Sequence, residues 1–169
     1  MSVPDQAALE VLATRVGQRL LAAGQKLATA ESCTGGWVAQ CLTAVAGSSD
    51  WFDRGFVTYS NEAKEEMLGV SPEMLIAHGA VSEPTAVAMA VGTLAHSRAD
   101  WSLAITGIAG PSGGSPAKPV GTVCFAWAAR NGEVAVTTRH FVGGREAVRA
   151  QSVAFALEGL LSGTEAVSA

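Results

Sequence analysis

The chain has 169 residues, of which 49% are apolar and only 15% are charged, and its formal net charge is −4. This length accommodates one domain with a full core over residues 1–169, and the low charged fraction, against ~25% in typical soluble domains, implies extensive burial within a layered fold or against another subunit. The chain carries no basic patch or Lys/Arg run, which argues against nucleic acid as a partner.

Helical and strand patterns alternate through the N-terminal part. An amphipathic helix is predicted over residues 4–23, and charged residues along it interrupt the apolar run that an export signal needs. A strand at Lys26–Ala30 and a helix at Thr34–Val45 are predicted next. The elements expected after a loop at 47–50 are a strand at Phe52–Ser60, a helix at Glu62–Leu68 with Asn61 as its cap, a short helical turn at Ser71-Pro72 and a helix from Glu83 to about Arg98.

The C-terminal part adds strands, a glycine-rich loop and a closing helix. In chain order these are an apolar strand at Trp101–Thr106, a loop over Gly107–Gly121, two strands at Val120–Ala128 and Glu133–Val142 around an Asn131-Gly132 hairpin turn, a helix at Glu146–Leu161 and a frayed tail over about 163–169. Interleaved helices and strands with one late hairpin predict an α/β fold, a three-layer α/β/α sandwich around a mixed, mostly parallel sheet.

Membrane and metal classes are disfavoured by the apolar runs and the cysteines. No apolar run approaches the ~18 residues of a spanning helix, so we expect no membrane contact. Cys33, Cys41 and Cys124 form an odd set without a CxxC pair, which argues against a disulfide framework and against a zinc site. We therefore expect a cytoplasmic protein without a metal.

The run Ala30–Gly36 carries the strongest chemical signal. It is predicted to contain the end of a strand, a tight turn and the start of a helix, with two hydroxyls and a thiol in the turn. Backbone N–H groups at a helix N-terminus can stabilise a serine alkoxide and a substrate oxyanion, so Ser32 is a candidate nucleophile for acyl transfer. Two alternatives are open: Ser32 is a plain N-cap, or Cys33 is the nucleophile because a helix start lowers its pKa.

A serine nucleophile needs a general base, and the three histidines are weak candidates. His78, His96 and His140 lie in no evident catalytic or metal-ligand motif, so structural roles are favoured for them. Lys64 is an alternative base, because it falls in the first turn of a predicted helix, where the dipole disfavours a cation and burial would lower its pKa further. On position alone, a solvated Lys64 paired with a neighbouring glutamate is the more common arrangement.

Three further features could contribute to a site around Ser32. Tyr59 ends the strand before Lys64, so both side chains could point into one crevice, although ordinary sheet packing is the alternative. The stretch Thr106–Gly114 follows an apolar strand, and its glycine-rich backbone is either a flexible connection or a close approach to a phosphate or ribose. Arg145 opens the last helix and could clamp a phosphate or form a surface salt bridge.

Five motifs, in the expected order, resemble the signature of the CinA C-terminal domain family. They are AESCTGG at residues 30–36, TYSN at 58–61 with Lys64, GAVSE at 79–83, TGIAGP at 106–111 and KPVGTV at 118–123. The match extends from the first helix to the last. The resemblance therefore implies a single CinA C-terminal-like domain.

The resemblance also implies an activity, nicotinamide-nucleotide amidohydrolase. This reaction hydrolyses the carboxamide of nicotinamide mononucleotide to nicotinate mononucleotide and ammonia in bacterial pyridine-nucleotide salvage. The family pattern implies a serine–lysine arrangement with no cofactor or metal, in which Ser32 is the nucleophile, Lys64 the base and Tyr59 a helper. Backbone N–H groups near Thr34, Gly35 and Gly36 are expected to hold the oxyanion. The residues expected to contact the substrate are Glu31, Thr34, Gly35, Gly36, Thr106, Gly107, Ile108, Ala109, Gly110 and Arg145.

Two other functions and one assembly state complete the expectations. The chain could be a non-catalytic nucleotide-binding or regulatory module, although retention of both Ser32 and Lys64 argues against this, or it could be a Cys33-dependent amidase. Trp37 lies where the family pattern favours a smaller apolar residue, and it could narrow the pocket. Low charge, four tryptophans and an Ala-rich helix at Pro84–His96 suggest buried interface area, so we expect a homodimer.

Overall fold

The computed structural model describes residues 2–168, with side chains described over residues 2–163. Its helices and strands alternate as predicted. In chain order they are α1 (Gln6–Ala23), β1 (Leu27–Glu31), α2 (Trp37–Thr43), β2 (Phe52–Val57), α3 (Asn61–Leu68), α4 (Pro72–His78), α5 (Glu83–Ala95), β3 (Trp101–Gly107), β4 (Thr122–Ala129), β5 (Val134–His140) and α6 (Arg145–Ser168). A short 3₁₀ helix, Ser48–Asp50, precedes β2.

The strands of residues 2–168 form one five-stranded sheet in the order β2-β1-β3-β4-β5. β1 pairs in parallel with β2 and β3, β4 runs antiparallel to β3, and β5 runs antiparallel to β4. Only β4 opposes the common direction, which confirms a mixed, mostly parallel sheet. The carboxyl ends of β1, β2 and β3 lie at one edge, where open α/β sheets bind their ligands.

Apolar layers cover both faces of the sheet. On one face, α1, α2 and α6 share a cluster with large strand side chains such as Leu103, Phe125 and Trp127. On the other face, α5 packs against small strand side chains such as Ala30 and Ala104. Helices on both faces confirm the predicted three-layer sandwich.

The features that suggested a subunit interface lie inside this core. Helix α5 is buried through Met89 and Ala90, both with no exposed area. Three of the four tryptophans are also buried within the same chain: Trp51, Trp101 and Trp127. These features therefore do not indicate an interface, and the homodimer stays a prediction.

Two element boundaries differ from the prediction because a serine hydroxyl caps the helix. Ser60, not Asn61, caps α3, and its Oγ accepts a hydrogen bond from the N–H of Ala63 at 3.0 Å. The residues before this cap therefore leave the sheet, and β2 ends sooner than predicted. Ser71 similarly caps α4 by accepting from the N–H of Met74 at 3.1 Å, so the predicted turn becomes a full helix.

The last helix continues past its predicted end. It begins at Arg145 and extends beyond Leu161 to Ser168. The frayed tail expected over about 163–169 stays a prediction, because Ala169 and the side chains after residue 163 lie outside the described residues. Among the described helices, none combines the length and apolar character that crossing a bilayer requires.

Candidate active site

Ser32 lies in the turn that follows β1, at the carboxyl edge of the sheet. Its N–H donates to the carbonyl of Ile105 in β3 at 3.0 Å, and its own carbonyl accepts from the N–H of Gly35 at 3.0 Å. Gly35 and Gly36 adopt left-handed backbone, with φ of +60° and +101°, which L side chains rarely reach. These glycines delay the start of α2 to Trp37, so Ser32 is not a helix N-cap.

Glu31, which was expected to contact the substrate, instead accepts hydrogen bonds from the backbone N–H groups at the N-terminus of α2. Its two carboxylate oxygens accept from the N–H groups of Val38 at 2.8 Å and Ala39 at 3.1 Å. The side chain is 1% exposed. A carboxylate at this position matches the partial positive charge of the helix end. Glu31 is therefore a buried helix cap, and its geometry does not support the expected contact with substrate.

Lys64 reaches Ser32 from α3, and its side chain is 1% exposed. Its Nζ lies 3.0 Å from Ser32 Oγ, 2.8 Å from the carbonyl oxygen of Thr58 and 3.4 Å from that of Tyr59. Within the described residues, no carboxylate pairs with this amine. Burial lowers the pKa of Lys64 below its ordinary value, because the charged form loses its hydration. The solvated, glutamate-paired alternative is thus wrong.

The other candidate nucleophile and bases are not supported. Burial raises the pKa of the Cys33 thiol to about 12, since a thiolate is poorly solvated there. The prediction of a lowered pKa for the Cys33 thiol is therefore wrong, because this turn is buried. In the described part of the chain, none of the histidines lines the cavity that contains Ser32.

A cavity of about 190 Å³ opens beside Ser32 and Lys64. It brings together a large part of the predicted set: Ser32, Tyr59, Lys64, Thr106, Gly107, Ala109 and Arg145. Cys33, the alternative nucleophile, also lines the cavity, and so do two residues that sequence reasoning missed, Ala80 and Val81. The latter two belong to the GAVSE motif, and the Oγ1 of Thr106 donates to the carbonyl of Ala80 at 2.7 Å. That bond joins the motif to the end of β3.

Several residues expected to contact substrate do not line this cavity. Besides Glu31, they are Thr34, Gly35, Gly36, Ile108 and Gly110. The backbone of Ile108 is occupied, since its N–H donates to Thr122 at 2.9 Å and its carbonyl accepts from Gly121 at 2.8 Å. The N–H of Gly35 is likewise used within the turn. The N–H of Gly35, one of the expected oxyanion donors, is therefore not available to a substrate.

Arg145 lies at the mouth of the cavity, at the first position of α6. Its Nη1 donates to the carbonyl of Gly110 at 2.9 Å, and its Nη2 donates to the hydroxyl of Tyr59 at 3.1 Å. Tyr59 is 62% exposed and lies in the connection after β2, not within the strand as predicted. Arg145 also lines an adjacent groove of about 440 Å³ with Trp37, Glu146 and Arg149. The cavity and the groove therefore share this guanidinium.

Arg149 lies one helical turn beyond Arg145 in α6. Its side chain forms hydrogen bonds with the segment after β1 that carries Ser32. Its Nε donates to the carbonyl of Cys33 and its Nη2 to the carbonyl of Thr34, each at 3.1 Å. The guanidinium lies over the Trp37 ring, 5.3 Å from its centroid. In the sequence, only the four-residue spacing of Arg145 and Arg149 indicated that both side chains lie on the same side of the last helix.

The charged and polar groups of the site are a lysine, two arginines and hydroxyls. The described residues contain no group of three or more His, Cys, Asp or Glu side chains arranged to hold a metal ion. A serine hydroxyl touching a buried amine is an arrangement that can activate a nucleophile.

Comparisons with known proteins agree on a single family. The model of the CinA C-terminal domain matches residues 9–163. The nicotinamide-nucleotide amidohydrolase PncC of Escherichia coli K12 is 58% identical over 149 residues, covering 88% of this chain and 90% of that protein. The protein of the same name from Pseudomonas putida is 52% identical over 159 residues, with 93% and 98% covered. The crystal structure of the competence/damage inducible protein CihA from Agrobacterium tumefaciens superposes with a TM-score of 0.90 at 49% identity, covering 96% of this chain and 98% of that one.

Proposed function

This chain belongs to the CinA C-terminal domain family, and we propose that it hydrolyses the carboxamide of nicotinamide mononucleotide. The products are nicotinate mononucleotide and ammonia, which assigns the protein to pyridine-nucleotide salvage. One observation carries the proposal: the buried amine of Lys64 lies 3.0 Å from the hydroxyl of Ser32. The names of the relatives from Escherichia coli and Pseudomonas putida support the substrate.

Lys64 acts as the general base in its neutral form. A neutral amine has two N–H donors and one lone pair. The carbonyls of Thr58 and Tyr59 accept the two donors, at 2.8 and 3.4 Å. The lone pair is then available for the proton of Ser32 Oγ, and burial without a carboxylate partner favours the neutral amine because it lowers the pKa of Lys64.

Ser32 Oγ attacks the carboxamide carbon as Lys64 takes its proton. The best oxyanion donor is the N–H of Cys33, because Cys33 lines the cavity and this N–H has no acceptor on another described residue. The N–H groups of Ser32 and Gly35 already donate within the fold. An N–H on the residue after the nucleophile is a common oxyanion donor in serine hydrolases.

Collapse of the tetrahedral intermediate breaks the carbon–nitrogen bond. The Lys64 ammonium returns its proton to the leaving nitrogen, which departs as ammonia, and leaves an acyl ester on Ser32. Lys64 then removes a proton from water, whose oxygen attacks the ester carbon. As the ester C–O bond breaks, the Lys64 ammonium returns this proton to Ser32 Oγ, and the released carboxylic acid ionises to the carboxylate. Tyr59 supports the substrate and not the proton transfer in this scheme, because its hydroxyl lies against Arg145 and only its backbone carbonyl contacts Lys64.

The shape of the site suits one end of a mononucleotide. Pockets for whole ligands usually enclose ~300–1,000 Å³. A cavity of about 190 Å³ matches the pyridine ring and its carboxamide, against the small side chains of Ala80, Val81 and Ala109. The ribose phosphate then extends outward to Arg145 at the mouth. A guanidinium can bind a phosphate through two hydrogen bonds.

Ammonia release from nicotinamide mononucleotide, measured with EDTA present, tests the proposal. Wild type should release ammonia, whereas Ser32→Ala and Lys64→Met should be nearly silent, since general-base catalysis alone contributes ~10²–10⁴-fold. Cys33→Ala is the matched control from the same turn and should stay active. Full activity of Ser32→Ala would show that Ser32 is not the nucleophile.

An inactive wild type would overturn the reaction as a whole. Calorimetric binding of the same nucleotide would then indicate a binding module that keeps the pocket without the chemistry. No binding would indicate a different substrate.

A further inference from the structure

We propose that Arg149 is a positioning residue for the acyl-transfer step, which it serves by fixing the backbone of the turn that carries Ser32. The proposal rests on the proposed function, because it concerns the same nucleophile. Arg149 belongs to α6, at the far end of the chain from Ser32, yet it donates two hydrogen bonds to this turn.

Three consecutive carbonyls of the turn are held in place. The carbonyl of Ser32 accepts from the N–H of Gly35 at 3.0 Å. The next two carbonyls, of Cys33 and Thr34, accept from Arg149, each at 3.1 Å. In a trans peptide the C=O and the following N–H point in opposite directions. The carbonyl of Thr34, held by Arg149, shares its peptide plane with the N–H of Gly35, and that N–H donates to the carbonyl of Ser32. The Ser32 carbonyl in turn shares its plane with the N–H of Cys33, so Arg149 fixes the direction of the oxyanion donor proposed above through these two peptides.

The guanidinium is itself held rigidly. One face lies over the Trp37 ring, 5.3 Å from its centroid. A Cβ added to Gly35 would lie 3.6 Å from Nη2 of Arg149, so the turn and the guanidinium are in close contact. The Trp37 ring thereby supports the arginine. A lysine has no planar fork and would not bind both carbonyls in this way.

Arg149 differs from Arg145 in what it touches. Arg145 lines the cavity that contains Ser32, whereas Arg149 lines only the adjacent groove. Two donors of Arg149 are already used on backbone carbonyls. Its loss should therefore disturb the transition state more than the binding of substrate, which lowers kcat and leaves KM nearly unchanged.

The test compares Arg149→Met with Arg139→Met. Arg139 is a matched control, because its guanidinium also lies over an aromatic ring, 4.9 Å from the centroid of Phe155, and it belongs to β5, outside the cavity. We expect Arg149→Met to lower kcat for nicotinamide mononucleotide by about 10²-fold, the size expected for a displacement of ~1 Å. Its KM should change by less than about threefold, and Arg139→Met should match wild type in both constants.

Three further measurements separate positioning from a general loss of folding. The rate at which a fluorophosphonate labels Ser32 should fall in parallel with kcat, because the phosphoryl oxygen needs the same N–H donors. Arg149→Lys should be as impaired as Arg149→Met, and added ethylguanidinium should restore part of the activity of Arg149→Ala, whereas ethylammonium should not.

Several outcomes would overturn the proposal. A raised KM with normal kcat in Arg149→Met would assign the guanidinium to substrate binding. An unchanged labelling rate, or full activity of Arg149→Lys, would show that the turn does not depend on the guanidinium.

If wild type releases no ammonia but the labelling rate still falls in Arg149→Met, the proposed substrate is wrong and the positioning role stands.

Discussion

Replacing Lys64 by methionine should remove most of the activity and should also change how the stability of the folded protein depends on pH. Burial lowers the pKa of Lys64 in the folded protein, whereas the unfolded chain carries the ammonium up to its ordinary pKa of 10.5. The unfolded state therefore binds more protons between the lowered pKa and 10.5, so the stability of wild type rises with pH across this window. For one proton the slope reaches about 1.4 kcal/mol per pH unit. Methionine removes this dependence, because it does not titrate.

A second effect of the substitution is independent of pH. The amine donates to the carbonyls of Thr58 and Tyr59, and methionine leaves both without this donor. An unsatisfied buried acceptor costs about 1–3 kcal/mol. This loss shifts the stability of Lys64→Met at every pH by the same amount, so it leaves the slope unchanged. The difference in unfolding free energy between wild type and the variant should thus grow in favour of wild type as pH rises.

Urea unfolding, followed by the fluorescence of the buried tryptophans, measures this difference at intervals from about pH 7 to about pH 10. Ser32→Ala is the control, because it lacks the nucleophile but keeps the buried amine, and it should retain the wild-type slope. A constant difference between wild type and Lys64→Met over this range would mean that Lys64 is protonated in the folded protein. The neutral-base mechanism would then fail.

Three other substitutions have defined outcomes. Cys33→Ala should keep wild-type activity, and wild type should resist iodoacetamide at pH 8, because the thiol pKa is about 12; rapid inactivation would contradict the buried thiol. Arg145→Ala should raise KM for nicotinamide mononucleotide far more than for free nicotinamide, and equal increases would exclude a phosphate contact. Glu31→Gln should lower the unfolding free energy by about 1–3 kcal/mol through the loss of a charged cap, with KM unchanged; a raised KM would instead place Glu31 against the substrate.

Local chemistry predicted the helices and strands and identified Ser32 as a candidate nucleophile, because both inferences depend on neighbouring residues. The glycines after Ser32 predicted a tight turn, and the apolar runs predicted the strands. Position alone favoured a solvated Lys64, however, since helix periodicity does not reveal what packs over a residue. The family resemblance supplied the pairing with Ser32, and the structure supplies its distance of 3.0 Å.

The parts of the site that sequence reasoning missed depend on contacts between distant segments. Glu31 was expected at the substrate, but the left-handed glycines turn α2 so that its N–H groups reach this carboxylate. Ala80 and Val81 reach the cavity because Thr106 binds the carbonyl of Ala80 across 26 residues. No local pattern encodes such pairs, so their roles appear only once the chain is folded.

The hydrogen bonds of Arg149 to the turn span 116 and 115 residues of the chain. During synthesis, Ser32 and Lys64 leave the ribosome long before α6 does. A nascent chain that ends at β5 therefore holds Ser32 and Lys64 but lacks the guanidinium groups of Arg145 and Arg149. Under the roles proposed above, such a chain should be inactive even where its sheet has formed, and activity should arise only when the last helix packs against α1 and α2.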